Sequence, residues 1–464
     1  MDYPRINRRF AQACFALPPI AGSLTSIVWH GGAIWCLWLI ASRREPLSRD
    51  RTMWTLTGLL YAYVAASVAS ALVNGLELHQ AEDLVRLATP LLFPFSYSLF
   101  AIARKREIAD SAAIAAAVGC AGGAAIALLQ FIATDMRPEG GAGNALVFAT
   151  VCCLGGITCL AGALTLRSAL QEWLLAGYGA AWIGMILAGG RSVWLAAAVI
   201  TAVMLIASRR RIRTLFGRHA AATVGCVLAG AILLSGVLVS RVELLVADWE
   251  TLTEQNSYDT SLGVRVLLWN HAIELIRERP LLGYGIQNTK ALVQQAAHDA
   301  DLSVRTFTHF HNGYLTIAVQ SGIFGLIPLV AVMVVAAVAA LRALKNANDA
   351  PSRFGALVLL GGVLTYAIGG TFNLILGHDI LDTCLMIVLI TGAWLACGTE
   401  RAPGADDTAL RQETGPEAQR DEPSSRRAFP VEKSSGTSRP GPAHSATITS
   451  PQTKTRPGGR VSRF

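Results

Sequence analysis

One polar stretch of this sequence, 241–311, carries most of the side chains that can do chemistry. Its cationic and titratable groups are Arg265, Arg277, Arg279, Lys290, Arg305, His309 and His311. Guanidinium groups bind phosphate oxygens through parallel hydrogen bonds, and an imidazole that titrates near neutrality can accept a proton. The pattern predicts a site for an anionic, lipid-linked substrate, with Arg265 binding charge and His311 acting as a general base.

Within this stretch, 262–285 has the periodicity of a helix. One face gathers Leu268, Ala272, Leu275 and Ile276. Pro280, Gly283 and Gly285 are typical of a helix end, so the helix should stop there. Arg265 is then predicted in the first turn, where helix N–H groups also favour phosphate. The alternative is a solvated basic face, which suits Arg277 and Arg279 well and would also account for Arg265 taken alone.

His311 and Asn312 stand just before a new apolar helix, and both are predicted to face the substrate. A structural histidine at the membrane interface is the alternative. The spacing of His309 and His311 also suggests metal ligation, but no carboxylate or cysteine cluster accompanies it, so no metal is expected. We expect the nearby arginines to lower the pKa of His311 by like-charge repulsion.

Arg191 and Arg86 are the other candidate substrate-binding residues. The apolar stretch 173–208 is too long for one crossing, at about 54 Å of helix, so the chain is expected to turn at Gly189-Gly190-Arg191. Arg191 then either binds substrate at the membrane surface or marks the end of a span. Arg86 opens a span after Glu82, and its i,i+4 spacing also predicts an ion pair with Glu82.

The composition is that of a polytopic, all-α membrane protein. The chain has 464 residues, 53% of them hydrophobic and 15% charged, whereas soluble domains carry about a quarter charged residues. About twelve spans are expected, at 10–42 (split into two by Pro18-Pro19 and Gly22), 54–75, 83–103, 111–133, 144–166, 173–190, 192–208, 220–240, 322–343, 353–376 and 379–397.

Basic residues predict the orientation of these spans. They cluster in connectors at 43–51, 104–106, 209–218 and 342–353, which are therefore expected to be cytoplasmic. Alternation places 76–82, 134–143, 241–311 and 377–378 on the far side. The net charge of +8 is then explained by basic cytoplasmic segments that face the anionic headgroups of membrane lipids. No nucleic acid is expected as a partner. None of the nine cysteines lies in a far-side loop, so no disulfide framework is expected.

Four regions follow from this reading. Residues 1–240 hold spans one to nine, 241–311 form one large, partly helical periplasmic loop with part of the active site, and 312–397 hold spans ten to twelve. Residues 398–464, rich in Pro, Ser, Gly, Thr and Arg, are predicted to be a disordered cytoplasmic tail.

Three runs carry a family resemblance: LGVRVLLWNHAIELIRERPLLGYGIQN (262–288), HNGYLTIAVQSGIFGLIPL (311–329) and GGRS (189–192). Together they resemble the O-antigen ligase family of Gram-negative inner membranes. The resemblance implies a metal-independent glycosyltransferase without a cofactor. Its donor is a polysaccharide on undecaprenyl diphosphate, its acceptor a sugar hydroxyl of lipid A–core, and its active site faces the periplasm. It also implies that Arg191, Arg265 and His311 are the functional positions.

Other functions remain open at this point. The same superfamily includes O-antigen polymerases and protein O-oligosaccharyltransferases, which the motif does not separate from ligases. A lipid or solute transporter explains the spans and the intramembrane charges, but not a long polar loop that ends in His-Asn; nor do the two halves of the chain look alike, as inverted repeats often do. A structural scaffold predicts nothing about Arg191 or His311.

Overall fold

The computed structural model describes residues 3–400, apart from 78–79, 81, 135, 167, 210–238, 240–242, 245, 256, 301 and 303–306. These residues belong to one compact unit, Met1–Arg401. Every regular element in the described part of the chain is a helix, which confirms the all-α prediction. Arg305, the predicted span at 220–240 except for Val239, and the predicted tail beyond Glu400 lie outside the described residues.

Up to Ala207 and again from Ser261, the helices follow one another with short connections. In chain order they are α1 (Tyr3–Ala16), α2 (Gly22–Ala41), α3 (Arg51–Val73), α4 (Glu82–Val85), α5 (Ala88–Leu91), α6 (Phe93–Phe100), α7 (Lys105–Thr134), α8 (Ala145–Thr165), α9 (Gln171–Ala188), α10 (Arg191–Ala207), α11 (Ser261–Glu278), α12 (Thr289–Asp299), α13 (Gly313–Asn346), α14 (Ala350–Gly369) and α15 (Asp379–Cys397). Single 3₁₀ turns occur at Ser168–Leu170 and Ile286–Asn288. Between Ala207 and Ser261, described residues within 243–254 are also helical.

Seven of these helices are long and apolar enough to cross a membrane, namely α2, α3, α7, α8, α13, α14 and α15. The predicted break at Pro18-Pro19 separates α1 from α2, as expected. The predicted span 83–103 is instead three short helices, α4 to α6. Pro90 lies within α5 and Pro94 within the first turn of α6. Since a proline lacks the N–H that an uninterrupted helix needs, one continuous helix does not form here.

The bundle has two distinct ends. At one, which we call the site end, Gly22 N–H donates to Gly141 O at 2.8 Å and Gly313 N–H donates to Gly370 O at 2.7 Å. The other we call the opposite end. There Lys105 Nζ donates to Leu395 O at 2.9 Å. The connectors 43–51, 104–106 and 342–353 join helices at the opposite end, so the described basic connectors lie together, as the orientation prediction requires.

Two loop helices, α11 and α12, form a small core of their own against α13. The side chain of Thr260 caps α11 by accepting from Gly263 N–H at 3.0 Å, which explains where the helix begins. Its predicted apolar face is confirmed, since Leu268, Ala272 and Leu275 are buried. The apolar cluster unites Val264, Leu268, Ala272, Leu275, Val293, Ala296, Ala297, Leu302, Phe310 and Val319. The loop is therefore docked onto α13.

Helix α13 is broken near its start. Its 34 residues would extend about 51 Å if they were straight. Gly322 adopts non-helical angles, φ 60° and ψ −160°, and divides the helix. The longer part begins where the apolar run 322–343 begins, so the first turns of α13 lie between the predicted span and His311.

Candidate active site

The apolar cluster of the loop brings Arg265 and His311 together. Val264 precedes Arg265, Phe310 precedes His311, and both of these neighbours are buried in the same cluster. The charge of Arg265 lies close enough to act on the titration of His311. Arg265 is the fifth residue of α11, one position beyond the predicted first turn, and its Nη1 donates to Ser261 Oγ at 3.4 Å. Two predicted site residues from different elements thus share one site.

The backbone at His311 is held in a left-handed conformation. Its φ is 50°, and Arg43 is the other non-glycine residue with positive φ in the described part of the chain. Asn312 follows as the cap of α13, and its Oδ1 accepts from Tyr314 N–H at 3.0 Å and Leu315 N–H at 3.1 Å. Backbone strain of this kind is maintained by surrounding contacts and is common at functional sites. Capping therefore engages the side-chain oxygen of Asn312.

His311 is a neutral imidazole at physiological pH. Burial, and second the positive charge of Arg265, lower the pKa of His311 to about 4. The direction agrees with the sequence prediction, but burial is the larger cause. Burial also lowers the pKa of Arg265 itself, and Asp248 opposes that change. Arginine remains charged well above neutral pH even so, and the site therefore pairs a fixed cation with a proton acceptor.

His309 adjoins His311, and His378 lies close enough to His309 to act on its titration. The ring of His309 lies 4.6 Å from that of His311, centre to centre. Burial, then the imidazoles of His311 and His378, lower the pKa of His309 to about 3. Nε2 of His309 has no hydrogen-bond partner among the described residues. The other histidine, His378, lies at the start of α15, with Nδ1 3.3 Å from Asp379 Oδ1.

The turn that carries His378 is fixed from within the bundle. Asp382, which is 2% exposed, accepts backbone N–H groups from Gly377 at 2.9 Å and His378 at 3.2 Å. Gly377 has a φ of 107°, which a residue with a side chain rarely adopts. The buried carboxylate thus holds His378 beside the other site groups. Sequence reasoning passed over His378, although a histidine before an apolar run is the pattern that singled out His311.

Arg86 belongs to the same neighbourhood. Burial lowers the pKa of His378, Asp379 opposes this, and the charge of Arg86 adds to it. The predicted ion pair of Arg86 with Glu82 is wrong, because Arg86 Nη2 lies 3.7 Å from Asp83 Oδ1 instead. Helix α4 ends at Val85, so the i,i+4 geometry that Glu82 needs is incomplete. The side chain of Arg86 is 55% exposed, which leaves it accessible to a ligand.

Arg191 lies at the site end, on a turn built by another arginine. As predicted, the chain turns at Gly189 and Gly190, and Arg191 is the first residue of α10. Gly189 has a φ of 67° and ends α9. Arg137 donates from Nε at 3.1 Å and from Nη2 at 2.8 Å to the carbonyl oxygen of Ala188. Arg137 was not singled out from the sequence; its place in a predicted far-side loop was the available signal.

The described residues hold no group of three or more His, Cys, Asp or Glu side chains arranged for a metal ion. Guanidinium groups such as those of Arg265 and Arg86 can bind an anion, and neutral imidazoles can accept or orient a proton.

The comparisons with known proteins bear on this arrangement. Residues 176–330 match the family model described as O-antigen ligase. A comparison with curated proteins gives no match. The matched range includes Arg191, Arg265 and His311, and the family's activity is of the ligase or polymerase type. Through this region the chain is similar to the O-antigen ligase family.

Proposed function

We propose that this protein is a glycosyltransferase that moves a polysaccharide from undecaprenyl diphosphate to a sugar hydroxyl of lipid A–core. The reaction takes place on the periplasmic side of a Gram-negative inner membrane and needs no metal ion. The observation that carries this proposal is the pairing of Arg265 with a neutral, partly buried His311 at the mouth of a membrane helix. The family match supports the same class of reaction.

The proposed step breaks a glycosyl phosphate bond and forms a glycosidic bond. The acceptor hydroxyl oxygen attacks the anomeric carbon of the donor sugar, and the bond from that carbon to the diphosphate oxygen breaks. The lipid diphosphate leaves with the bonding electron pair, and His311 takes the proton of the hydroxyl. Arg265, Arg191 and Arg86 neutralise the charge that develops on the diphosphate, as preorganised donors do in transition states.

Binding of the donor should change the pKa of His311. In the free protein the pKa of His311 is lowered to about 4, which makes it a weak base. Two phosphate charges beside Arg265 offset the cation and favour the protonated imidazole, so they raise the pKa of His311 in the complex. His311 then becomes a stronger base only when the donor is in place.

The location of the site suits a lipid-linked donor. The polyprenyl chain stays in the bilayer, and its diphosphate lies at the interface, where the site end of the bundle meets the loop. The basic connectors of the opposite end favour the cytoplasm. Reporter fusions after residues 140 and 270 should therefore read periplasmic, and fusions after 48, 105 and 347 cytoplasmic.

Purified protein in proteoliposomes tests the proposal directly. Undecaprenyl-diphosphate polysaccharide and lipid A–core are supplied, and products are separated by gel and mass spectrometry. We expect polysaccharide on lipid A–core and free undecaprenyl diphosphate, with Arg265→Ala as the inactive control. Lengthening of the lipid-linked chain without transfer would assign a polymerase instead. Relocation of an unconsumed lipid would assign a transporter.

A further inference from the structure

A short segment of the loop completes the hydrogen bonding of the broken helix α13. Tyr284 N–H donates to Val319 O at 2.8 Å, and Gly285 N–H donates to Gln320 O at 2.9 Å. In return Ile323 N–H donates to Pro280 O at 2.9 Å. We call residues 280–285 the strap. Around Gly322, hydrogen bonds to the strap replace the helical bonds that normally join each N–H to the carbonyl group four residues earlier.

The strap can approach so closely because both partners lack side chains at the crossing. A Cβ on Gly322 would clash with the carbonyl oxygen of Leu281. A Cβ on Gly283 would clash with the carbonyl oxygen of Val319. Both glycines have positive φ, 60° and 66° respectively. The sequences LLGYG and QSGIF are therefore matched to each other.

One hydroxyl of the neighbouring helix α3 joins the strap to α13. Ser70 Oγ lies 2.7 Å from Gln320 O and also contacts Leu282 O, so its single hydrogen is shared between the two carbonyl groups. Ser70 is fully buried. One turn further on, Asn74 Nδ2 donates to Gly283 O at 3.1 Å and Asn74 Oδ1 accepts from Arg279.

Ser67 lies three residues earlier on the same helix, and its hydroxyl donates to a carbonyl group of its own helix, as a serine in a membrane helix usually does. Its hydroxyl returns to Tyr63 O at 2.9 Å on its own helix and lies 3.0 Å from Ser321 Oγ. It makes no contact with the strap among these hydrogen bonds. Ser67 therefore touches α13 at Ser321 but makes none of the hydrogen bonds among the strap, α13 and Ser70, which we call the junction. This makes Ser67 a matched control for Ser70.

The junction lies between the two elements that carry the site. Helix α11, with Arg265, ends at Glu278, one residue before Arg279 and the strap. The first turns of α13, which follow His311, end at the break at Gly322. Val264 and Phe310, the neighbours of the two site residues, share an apolar cluster with Val319, whose carbonyl the strap binds.

We propose that Ser70 is a positioning residue of the active site, which clamps the strap into the break of α13 and so sets Arg265 against His311. The expected effect on turnover rests on the proposed function. The expected effect on the titration of His311 depends only on the hydrogen bonds of the junction. Release of the strap lets α11 shift from α13, and His311 then loses burial and the charge of Arg265.

The test compares Ser70→Ala with Ser67→Ala in the full chain, purified in nanodiscs. The titration of His311 is followed by chemical modification with diethyl pyrocarbonate, which acylates the neutral imidazole. The extent of modification at each pH is measured by mass spectrometry. In Ser70→Ala we expect the His311 midpoint to move from about 4 toward its ordinary value of about 6.5. Transfer should lose about tenfold in kcat with KM nearly unchanged, and Ser70→Thr should restore both.

The control and the second variant make the result decisive. Ser67→Ala should leave the His311 midpoint and kcat as they are in the native protein. Asn74→Ala acts on the same strap and serves if Ser70→Ala does not fold. A lowered melting temperature in Ser70→Ala with an unmoved midpoint would overturn the proposal, as would an equal shift in Ser67→Ala. Since the titration needs no turnover, an inactive native protein would count against the proposed function and not against the clamp.

Discussion

The polar groups around Asp50, at the opposite end, and those around His311, at the site end, differ in how completely they are hydrogen-bonded. At the opposite end, Asp50 accepts from Tyr97 at 3.0 Å, from Ser48 at 3.2 Å and from Thr399 at 3.1 Å. These bonds join the start of α3 to α6 and to the residues after α15. At the site end, His309 and His311 lie together with lowered pKa values, and Nε2 of His309 has no partner among the described residues.

This difference in hydrogen bonding distinguishes polar groups that stabilise the fold from polar groups that are placed to bind a ligand. A buried polar group that is fully hydrogen-bonded contributes to folding, whereas one left unmet costs stability. Neutral, largely buried imidazoles beside the charge of Arg265, one of them with an unpaired ring nitrogen, therefore indicate a place prepared for a ligand. Substitutions at the site end should cost activity more than stability, and substitutions at the opposite end should do the reverse.

The arginines should give the largest effect. We expect Arg265→Ala and Arg191→Ala to lower transfer by about 10²–10³-fold or more while the protein still inserts, because each removes fixed positive charge from the developing diphosphate. Arg265→Lys should also be severely impaired, since an ammonium lacks the planar fork that binds phosphate twice. Transfer assays in proteoliposomes measure this. Arg277, exposed on the same helix, is the control, and Arg277→Ala should stay near native activity; equal losses in both variants would reduce Arg265 to general electrostatics.

His311 should give the next largest effect, with a particular pH dependence. His311→Ala should lose about 10²–10⁴-fold in kcat but still bind the donor. In the free protein the base is neutral above about 4, so kcat/KM should be flat from pH 6 to 8 and fall only as the pH drops toward that value. The inflection in kcat should lie higher, because the bound diphosphate raises the pKa of His311.

His311→Gln separates orientation from proton transfer, since it keeps a hydrogen bond and loses the basicity. Near-native turnover in this variant, with an unchanged pH profile, would show that His311 positions the acceptor and does not take its proton.

Arg137 should have a smaller effect that acts through Arg191. Arg137→Ala removes both bonds to Ala188 O and loosens the turn at Gly189. We expect about a tenfold loss of transfer, equivalent to about 1.4 kcal/mol, with KM for the donor rising more than kcat falls. Combination with Arg191→Ala checks the route: the double variant should be no worse than Arg191→Ala, and additive losses would mean that Arg137 acts by itself.

Asp50 provides the reverse case at the opposite end. Asp50→Ala leaves the donors of Tyr97, Ser48 and Thr399 unmet, and we expect a loss of about 1–3 kcal/mol in stability. Thermal unfolding in detergent measures it. Transfer at a temperature well below the transition should stay near native. A large loss of activity in a stably folded Asp50→Ala protein would contradict the expectation that substitutions at the opposite end affect stability rather than activity.

Removal of divalent metal should have the smallest effect. Transfer is expected to survive EDTA, because the proposed charge neutralisation comes from arginines. Activity that chelation abolishes and Mg²⁺ or Mn²⁺ restores would redirect attention to carboxylates such as Asp299 and Asp379.

Much of the local structure was predictable from neighbouring residues. Helical periodicity predicted α11 and its buried face, and the Gly189-Gly190 pair predicted the turn before Arg191. His311 was expected before a new helix, and α13 begins at Gly313. These features follow from spacing and from glycine and proline chemistry, which act over a few residues. The division of 83–103 into three short helices was not predicted, because hydropathy records the length of an apolar run and not its prolines.

The sequence by itself determined an all-α membrane protein and the residue types for an anion and a proton. Tertiary structure decided which of them meet. Arg265 and His311 are 46 positions apart, and their neighbours enter one apolar cluster only when α11 folds onto α13. His378 joins them because buried Asp382 fixes its turn, and the strap finds α13 because two distant glycines allow contact. Burial, which sets the pKa of His311, is a property of packing, and no local pattern of residues records it.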